Sequence, residues 1–351
     1  MSKIFSVIIP TLNSQSTLEI CLSSVISQTI GRENIEILVV DGGSTDKTVE
    51  IAKEYGAIVL DNELFQQEYA KHIGIQKSTG KYLVFLDSDE VICSARTFEE
   101  RLNFFEKYKN LKMILSGGYI TPDNFNPINC YINLLGDPFS SYVYQLKNYK
   151  SFVELVENRY SGLVDGDLII LDKTKLSKDN SLLIDLNASN CVEKDSLVEL
   201  LKGQLQDYTF VPKVFYLYSK SAYSIGVVRS QYVIHYSSAT LGRYLSKLRW
   251  KVMVNVHYKE IPGTGFSNRE EFLSGLRKLR KILFLPYSFS VLAPLIDGIL
   301  LSMKHRKFVF LLHPFLTLYT AIMIVYHMIL KLLGIRPKMI PYGKSASKFM
   351  K

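Results

Sequence analysis

Apolar positions in the first hundred residues fall into two alternating patterns. "FSVIIP" (5–10), "IEILVV" (35–40), "AIVLDN" (57–62) and "YLVFL" (82–86) contain short apolar runs of strand length. Between them, "TLEICLSSVISQ", "TVEIAKEYG" and "QQEYAKHIGIQKSTG" space their apolar residues as one face of a helix. Ser16 is expected to cap the first helix and Gly80 to close the third. Strands apolar on both faces, alternating with helices, predict a parallel sheet covered on both sides. In such sheets ligands bind beyond the carboxyl ends of the strands. The polar segments "PTLN", "DGGSTD" and "DSDE" all fall at those ends.

The pattern loosens from about 100 to 220. "MILSGGYI" and "LVDGDLIILDKTKL" read as further strands around the loop-rich "TPDNFNPINCYINLLGDPFS". "EKDSLVELLKG" reads as a helix whose early acids suit the positive end of its dipole, and "YTFVPKVFYLYS" as a last strand. The final third changes character. "TLGRYLSKLRWKVMVNVHYKE" interleaves cations with Leu, Tyr, Val and Met, as an interfacial helix does. Two apolar runs follow. "ILFLPYSFSVLAPLIDGILL" (282–301) is interrupted by Pro286, Pro294 and Asp297, whereas "FVFLLHPFLTLYTAIMIVYHMIL" (308–330) has no formal charge and is long enough to span a bilayer. A hairpin with both ends facing the cytoplasm fits the flanking "LRKLRK" and "KLLGIRPK", and the cationic "KHRK" link leaves a shallow re-entrant pair open.

Charge sharpens this division. Residues 231–351 hold 19 Lys and Arg against 4 Asp and Glu, while the first 230 hold 23 against 29. The basic balance therefore belongs to the apolar third, which favours an anionic membrane surface over nucleic acid. The four cysteines are far apart and form no CxxC pair, so they read as reduced residues and neither a zinc site nor a disulfide frame. "MSKIFSVIIPTLN" turns polar too soon for a secretory signal, so the front domain is expected on the cytoplasmic side of a cell membrane.

Chemistry concentrates at the strand ends. Asp87 and Asp89, spaced Asp-x-Asp, can hold a hard divalent cation from one side while its open side takes phosphate oxygens. An isolated pair of this kind reads as an acidic turn, and the three converging strand ends favour the metal. In "VVDGGSTDKT" the glycines permit a tight turn, and Asp41 stands where a carboxylate could meet a ribose hydroxyl or a base N–H. A βα turn with Thr45 or Asp46 as helix cap is compatible with that role. No GxGxxG or GxxxxGK[ST] pattern occurs, which argues against dinucleotide and P-loop folds.

The blocks "SVIIPTLNSQSTLEICLSSVISQ", "EILVVDGGSTDKTVEIAKEYG" and "GIQKSTGKYLVFLDSDE" resemble, in order, those of a family-two glycosyltransferase, closely over residues 4–95 and loosely to about 220. The resemblance implies an α/β GT-A fold, a Rossmann-like mixed sheet binding a nucleotide-diphospho-sugar. It also implies a UDP- or GDP-linked donor, Mg²⁺ or Mn²⁺, and inversion at the anomeric carbon. Carried over by position, Pro10, Thr11 and Asn13 would line the nucleotide pocket, and Asp41 would contact base or ribose. Asp87 and Asp89 would be the metal pair, with Asp89 the direct ligand. Where the family often has Ala-Arg-Asn this chain has Ala70-Lys71-His72, so Lys71 would meet a phosphate as a point charge. The family's later acidic motif is matched here to "VEKDSLVELLKG", which places the catalytic base at Glu193 with Asp195 beside it. Asp165 and Asp167 would lie on the acceptor side. Glu90 receives no role.

The apolar C-terminal third narrows the acceptor, since a polyprenyl-linked substrate requires a membrane and a soluble sugar does not. Arg243, Lys247, Arg249 and Lys251 are placed to meet lipid phosphates or an acceptor pyrophosphate, or to form a basic face on an anionic leaflet. The expected organisation is a catalytic domain at 1–225, basic interfacial helices at 226–281, a membrane-associated hairpin at 282–333 and a basic tail at 334–351. The expected function is metal-dependent inverting transfer of a sugar to a lipid-linked acceptor in glycan or polysaccharide synthesis. A polyisoprenyl-phosphate glycosyl synthase and an inactive membrane scaffold are the alternatives.

Overall fold

A computed structural model describes residues 3–122, 124–178, 182–237, 240–258, 273 and 275–338. The chain starts with strand β1 (Phe5–Thr11), helix α1 (Leu18–Ile26), β2 (Ile35–Asp41), α2 (Thr48–Glu54), β3 (Ile58–Asp61) and α3 (Gln67–Lys77). Then come β4 (Tyr82–Phe85), β5 (Glu90–Ile92), α4 (Thr97–Lys107), β6 (Leu111–Leu115) and β7 (Gly118–Ile120). Helices α5 (Ile128–Leu135), α6 (Pro138–Tyr144) and α7 (Phe152–Tyr160) precede β8 (Ser161–Asp165), β9 (Leu168–Leu171) and α8 (Lys173–Lys178). They are followed by β10 (Asn190–Glu193), α9 (Lys194–Leu201), α10 (Val214–Lys220), β11 (Ser224–Val228) and β12 (Tyr232–His235). The last helices are α11 (Leu241–His257), α12 (Leu276–Phe289), α13 (Leu292–His305) and α14 (His313–Leu332).

The elements form two compact units. The first holds residues 1–120, 152–178 and 184–236, and the second 121–151, 179–183 and 237–351. In the first, nine strands make one sheet in the order β3-β2-β1-β4-β10-β6-β11-β9-β8. β3, β2, β1 and β4 are parallel, as their doubly apolar sequences require, and β10 runs antiparallel between β4 and β6. A second sheet, β5-β12-β7, sits past the end of β4. Pro10 is tolerated in a central strand because β4 pairs with β1 only as far as Ile8, so no partner there needs its missing N–H. Phe5, Val7, Ile9, Ile37, Val39 and Val84 lie in the core against α1 and α4.

Several expectations are corrected here. "YTFVPKVFYLYS" is not a strand: Tyr208–Lys213 is a 3-10 turn and Val214–Lys220 is helical. Its aromatic residues suggested β structure, but Phe215 and Tyr218 lie a turn apart and are both buried. The cap of α1 is Thr17 and not Ser16, with no side-chain bond. Residues 226–236, grouped in the sequence with the interfacial helices, complete β11 and form β12 in the first unit. Residues 121–151, grouped with the catalytic stretch, belong to the second unit, because Ile128, Tyr131 and Leu135 of α5 pack on Tyr244, Leu248, Leu301, Phe310 and Leu316. The run at 282–301 is broken at Ser290–Val291 into α12 and α13, which meet at 92°. Phe308–Leu332 is long and apolar enough to cross a membrane. Within the expected basic tail, residues 339–351 lie outside the described residues.

Candidate functional site

The carboxyl ends of β1, β2 and β4 are tied together by side chains from the three polar segments. Thr11 Oγ1 donates to Asp41 Oδ1 at 3.0 Å, and Ser44 donates its N–H to Asp41 Oδ2 at 2.8 Å and its hydroxyl to Oδ1 at 2.5 Å. A carboxylate offers about four acceptor positions, so Asp41 keeps capacity for one more donor. Asn13 adopts φ 52°, donates its N–H to Ser44 Oγ at 2.8 Å and accepts the Thr45 N–H at 2.9 Å on Oδ1. Ser14 Oγ lies 2.8 Å from Ser88 Oγ, linking the β1 end to the acidic turn. Gly43 at φ 75° lets the β2 turn close.

The acidic turn is held from several directions. Helix α3 lies close on β1, because Gly74 has no Cβ to strike Ile8. Gln67 and Lys71, one turn apart on α3, both reach Asp87: Gln67 Nε2 donates to Oδ1 at 2.6 Å, and Lys71 Nζ lies 3.3 Å from the same atom. Lys71 is buried, so this ion pair is shielded from solvent screening. On the other side, β12 carries His235 to Asp89. The Tyr236 N–H donates to Asp89 O at 2.9 Å, and His235 Nε2 lies 3.6 Å from Asp89 Oδ2. The Tyr119 ring packs on His235 with centroids 4.5 Å apart.

Glu90 is wholly buried beneath the turn. Its Oε2 accepts the N–H groups of Asp87 at 2.9 Å and Ala188 at 2.8 Å, and its Oε1 accepts the Tyr119 hydroxyl at 2.5 Å. Burial, and then the adjacent Asp87 carboxylate, push the Glu90 carboxyl well above the usual range. Ala188 and Ser189 both have left-handed φ, 54° and 55°, which costs non-glycine residues conformational energy. Arg101, also fully buried, grips the same loop through the Ser189 carbonyl and, at 3.0 Å, the Ser189 hydroxyl. Desolvation lowers the Arg101 pKa to about 10.

The structure thus brings together Pro10, Thr11, Asn13, Asp41, Lys71, Asp87 and Asp89. It does not bring Glu193 to them. β10 is antiparallel to β4 and pairs Glu193 with Tyr82, at the amino end of the strand whose carboxyl end leads to Asp87. Glu193 Oε2 is held by Lys112 Nζ at 2.6 Å, and Asp195 is exposed in the first turn of α9 at that same remote end. Asp165 lies on β8, the outer edge of the sheet five places from β4, and is bound by Lys107 at 2.6 Å and Tyr108 at 2.8 Å. Asp167 accepts the Ser230 N–H at 3.0 Å together with its hydroxyl. Arg243, Lys247, Arg249 and Lys251 are on α11 in the second unit, with Lys251 3.6 Å from Asp137.

Three groups around the acidic turn received no role in the sequence: His235, Gln67 and Glu90. His235 ends "YVIH", an alternating strand hidden by the basic stretch that follows. Asp207 opens the 3-10 turn, accepting the Thr209 N–H at 2.9 Å and the Thr209 hydroxyl at 2.6 Å. The Asp-x-Thr spacing was the available signal. The next residue, Tyr208, packs its ring edge-on to Tyr69 in the first turns of α3, with centroids 5.4 Å apart. His72 of α3 bonds the Leu205 carbonyl. Asp207 thereby flanks α3 on the side away from Lys71. The Thr209 bonds are the main cause that holds its carboxyl below the usual range.

A divalent cation fits one part of this set. Among the described residues no three His, Cys, Asp or Glu side chains are gathered into a ligand group. Asp89 and His235 stand close enough to share one ion, and a carboxylate with an imidazole suits Mn²⁺. Asp87 Oδ1 is engaged by Lys71 and Gln67, whereas Asp89 Oδ2 faces His235.

Part of the chain is similar to known proteins. A model described as "Glycosyl transferase family 2" matches residues 6–153. The minor teichoic acid biosynthesis protein GgaB of Bacillus subtilis is 38% identical over 112 residues, covering 30% of this chain and 12% of that protein. A PGL/p-HBAD biosynthesis glycosyltransferase of Mycobacterium bovis is 32% identical over 127 residues, covering 34% of this chain and 49% of its own length. The matched segments therefore span about half or less of these relatives. Among solved structures, the mannosyltransferase PcManGT of Pyrobaculum calidifontis, in complex with GDP-Man and Mn²⁺, shares the fold with TM-score 0.50 and 13% identity. That match covers 93% of this chain and 88% of the other.

Proposed function

From the premise that this chain carries a glycosyl transferase family 2 domain on the GT-A fold, we propose that it transfers a sugar from a nucleoside diphosphate to a lipid-linked acceptor, with inversion. The product is a surface glycan or polysaccharide, and the catalytic unit works on the cytoplasmic face of the membrane. The observation that carries the reading is the Asp87–Asp89 turn, held between Lys71 and His235 and tied to Asp41 through the β1 loop.

In this reading Asn13 and Asp41 receive the nucleoside, with the free acceptor capacity of Asp41 taken up by a base or ribose donor. Lys71 lies beside the diphosphate as a charge that the buried Asp87 pair keeps in place. Asp89 and His235 would hold Mn²⁺ or Mg²⁺, which would supply charge neutralisation to the departing diphosphate. The acceptor hydroxyl oxygen bonds to the anomeric carbon as that carbon's bond to the diphosphate oxygen breaks. The hydroxyl proton passes to a general base on the acceptor side, a role for which neither Glu193 nor Asp195 is placed.

The test is nucleoside diphosphate release by the purified chain given UDP- and GDP-sugars, Mn²⁺ or Mg²⁺, and a polyprenyl-linked acceptor. Chelation, Asp89→Ala and His235→Ala are each expected to lower release by about 100-fold or more. Release indifferent to all three refutes the site. No release from any donor would favour an inactive scaffold. Release with a polyprenyl phosphate but with no hydroxyl acceptor would make the lipid phosphate the acceptor.

A further inference from the structure

Helices α12, α13 and α14 and the turn before α14 carry large exposed apolar side chains. Phe308 is 87% exposed, Leu332 86%, Met303 72%, Ile282 69% and Leu292 64%. Side chains of this size are normally covered, and so large an exposed set marks a contact surface. Cations lie beside it: Arg306 and Lys307 are exposed in the turn between Met303 and Phe308. Apolar tips flanked by positive charge complement an anionic lipid leaflet, where acyl chains and phosphates lie only a few ångströms apart.

Length alone would allow α14 to cross the bilayer, but its neighbour argues against that. α11 runs beside α14: the Tyr319 hydroxyl donates to Leu245 O at 3.4 Å, His327 Nδ1 lies 3.3 Å from His257 Nε2, and Lys331 Nζ donates to Val256 O at 2.7 Å. Between those contacts α11 carries Lys247, Arg249 and Lys251. A spanning α14 would carry these cations to the depth of the acyl chains, where charge is costly. α13 meets a similar objection, since Asp297 at its centre is paired with Lys147 and accepts a bond from the Tyr287 hydroxyl at 2.5 Å. The 92° break between α12 and α13 also suits a pair lying along a surface.

We infer that the second unit binds one leaflet of an anionic membrane in its plane, inserting Ile282, Leu292, Met303, Phe308 and Leu332 to headgroup depth, with none of α12, α13 and α14 crossing the bilayer. This rests on the reading that the acceptor is carried in a membrane, and it specifies how the chain meets that membrane.

The chain's single tryptophan, Trp250, is a native depth gauge, because it lies on α11 within the stretch that runs beside α14. The full-length chain is mixed with vesicles of phosphatidylcholine alone, or with about one third phosphatidylglycerol. Flotation is expected only with the anionic vesicles, and Met303→Asp with Phe308→Asp is expected to reduce it about tenfold or more. Arg306→Glu with Lys307→Glu, which leaves the apolar residues intact, is expected to remove the preference for anionic lipid. In bound protein, a quencher near the headgroup should quench Trp250 more than one deep in the acyl chain. Stronger quenching by the deep probe means that α14 spans and overturns the inference. Failure to float, with light scattering showing a dimer that Met303→Asp and Phe308→Asp dissociate, assigns the face to a second copy and also overturns it. Flotation without sugar transfer leaves the inference standing and counts against the function.

Discussion

Glu90 accepts the backbone N–H of Ala188 at 2.8 Å, and through the same oxygen it holds the N–H of Asp87. One buried carboxylate thus sets both the acidic turn and a loop containing two left-handed non-glycine residues. The acid that carried no role in the sequence is the joint between them. Nothing in "DSDE" distinguishes a joint from a ligand, because the distinction depends on Tyr119 and Ala188, remote in sequence and close in space.

That geometry gives the first prediction. Glu90→Ala leaves three donors buried without an acceptor, each worth roughly 1–3 kcal/mol, so a loss of at least about 3 kcal/mol in urea unfolding is expected. Glu90→Gln keeps an acceptor for the two N–H groups and turns its amide towards Tyr119, whose oxygen can accept. It should lose no more than about 1 kcal/mol. Equal losses in the two variants would mean that the bonds to Asp87 and Ala188 do not matter.

The next prediction concerns the acids at the start of α9. Glu193→Gln should change kcat less than about twofold, because the Lys112 pair lies at the other end of β4. A kcat loss of about 10²–10⁴ in Glu193→Gln would restore the sequence-based assignment.

The parallel half of the first sheet was legible because β1 to β4 are local and apolar in sequence, so each segment declares itself without reference to distant ones. The surroundings of Asp89 were half legible. Asp89 sits in a motif, whereas His235 reaches it only because β12 pairs with β5 and brings His235 opposite Glu90. Glu193 was misassigned because acids at a helix start look alike in sequence. The antiparallel direction of β10 decides which end of the sheet they occupy. The break at Ser290–Val291 depends on a left-handed φ at Val291 that no residue preference announces.

The pH dependence follows from Thr209. Its bonds lower the Asp207 pKa, so the folded carboxylate stays ionised below the ordinary aspartate value of about 3.9. For a depressed carboxylate, the favourable interaction is present above the unfolded pKa and is lost as pH falls through the folded one. The stability that this cap contributes should therefore persist to a pH below the usual carboxylate range. Thr209→Val, which removes the hydroxyl bond and keeps the backbone one, should shrink that contribution and raise the pH at which it is lost, read by urea unfolding at a series of pH values. A pH profile of stability unchanged by Thr209→Val would detach Asp207 from it.

The last prediction concerns the approach of α3 to β1, which carries Lys71 and Gln67 to Asp87. A Cβ on Gly74 would lie 2.3 Å from Ile8 Cγ2, a distance that carbon atoms do not tolerate, so Gly74→Ala must push the helix outward. Overpacking of this kind costs about 1–3 kcal/mol. Because Gln67 and Lys71 move with the helix, KM for the donor should rise along with the loss of Tm. Ile8→Ala opens a cavity by itself, yet in the double variant the new methyl enters that space. The two substitutions together should therefore cost less than the sum of their separate effects, a coupling that contacting residues show at about 0.5–3 kcal/mol. Strict additivity in the unfolding free energies would mean that Gly74 does not set the helix position, and the rise in KM would then need another cause.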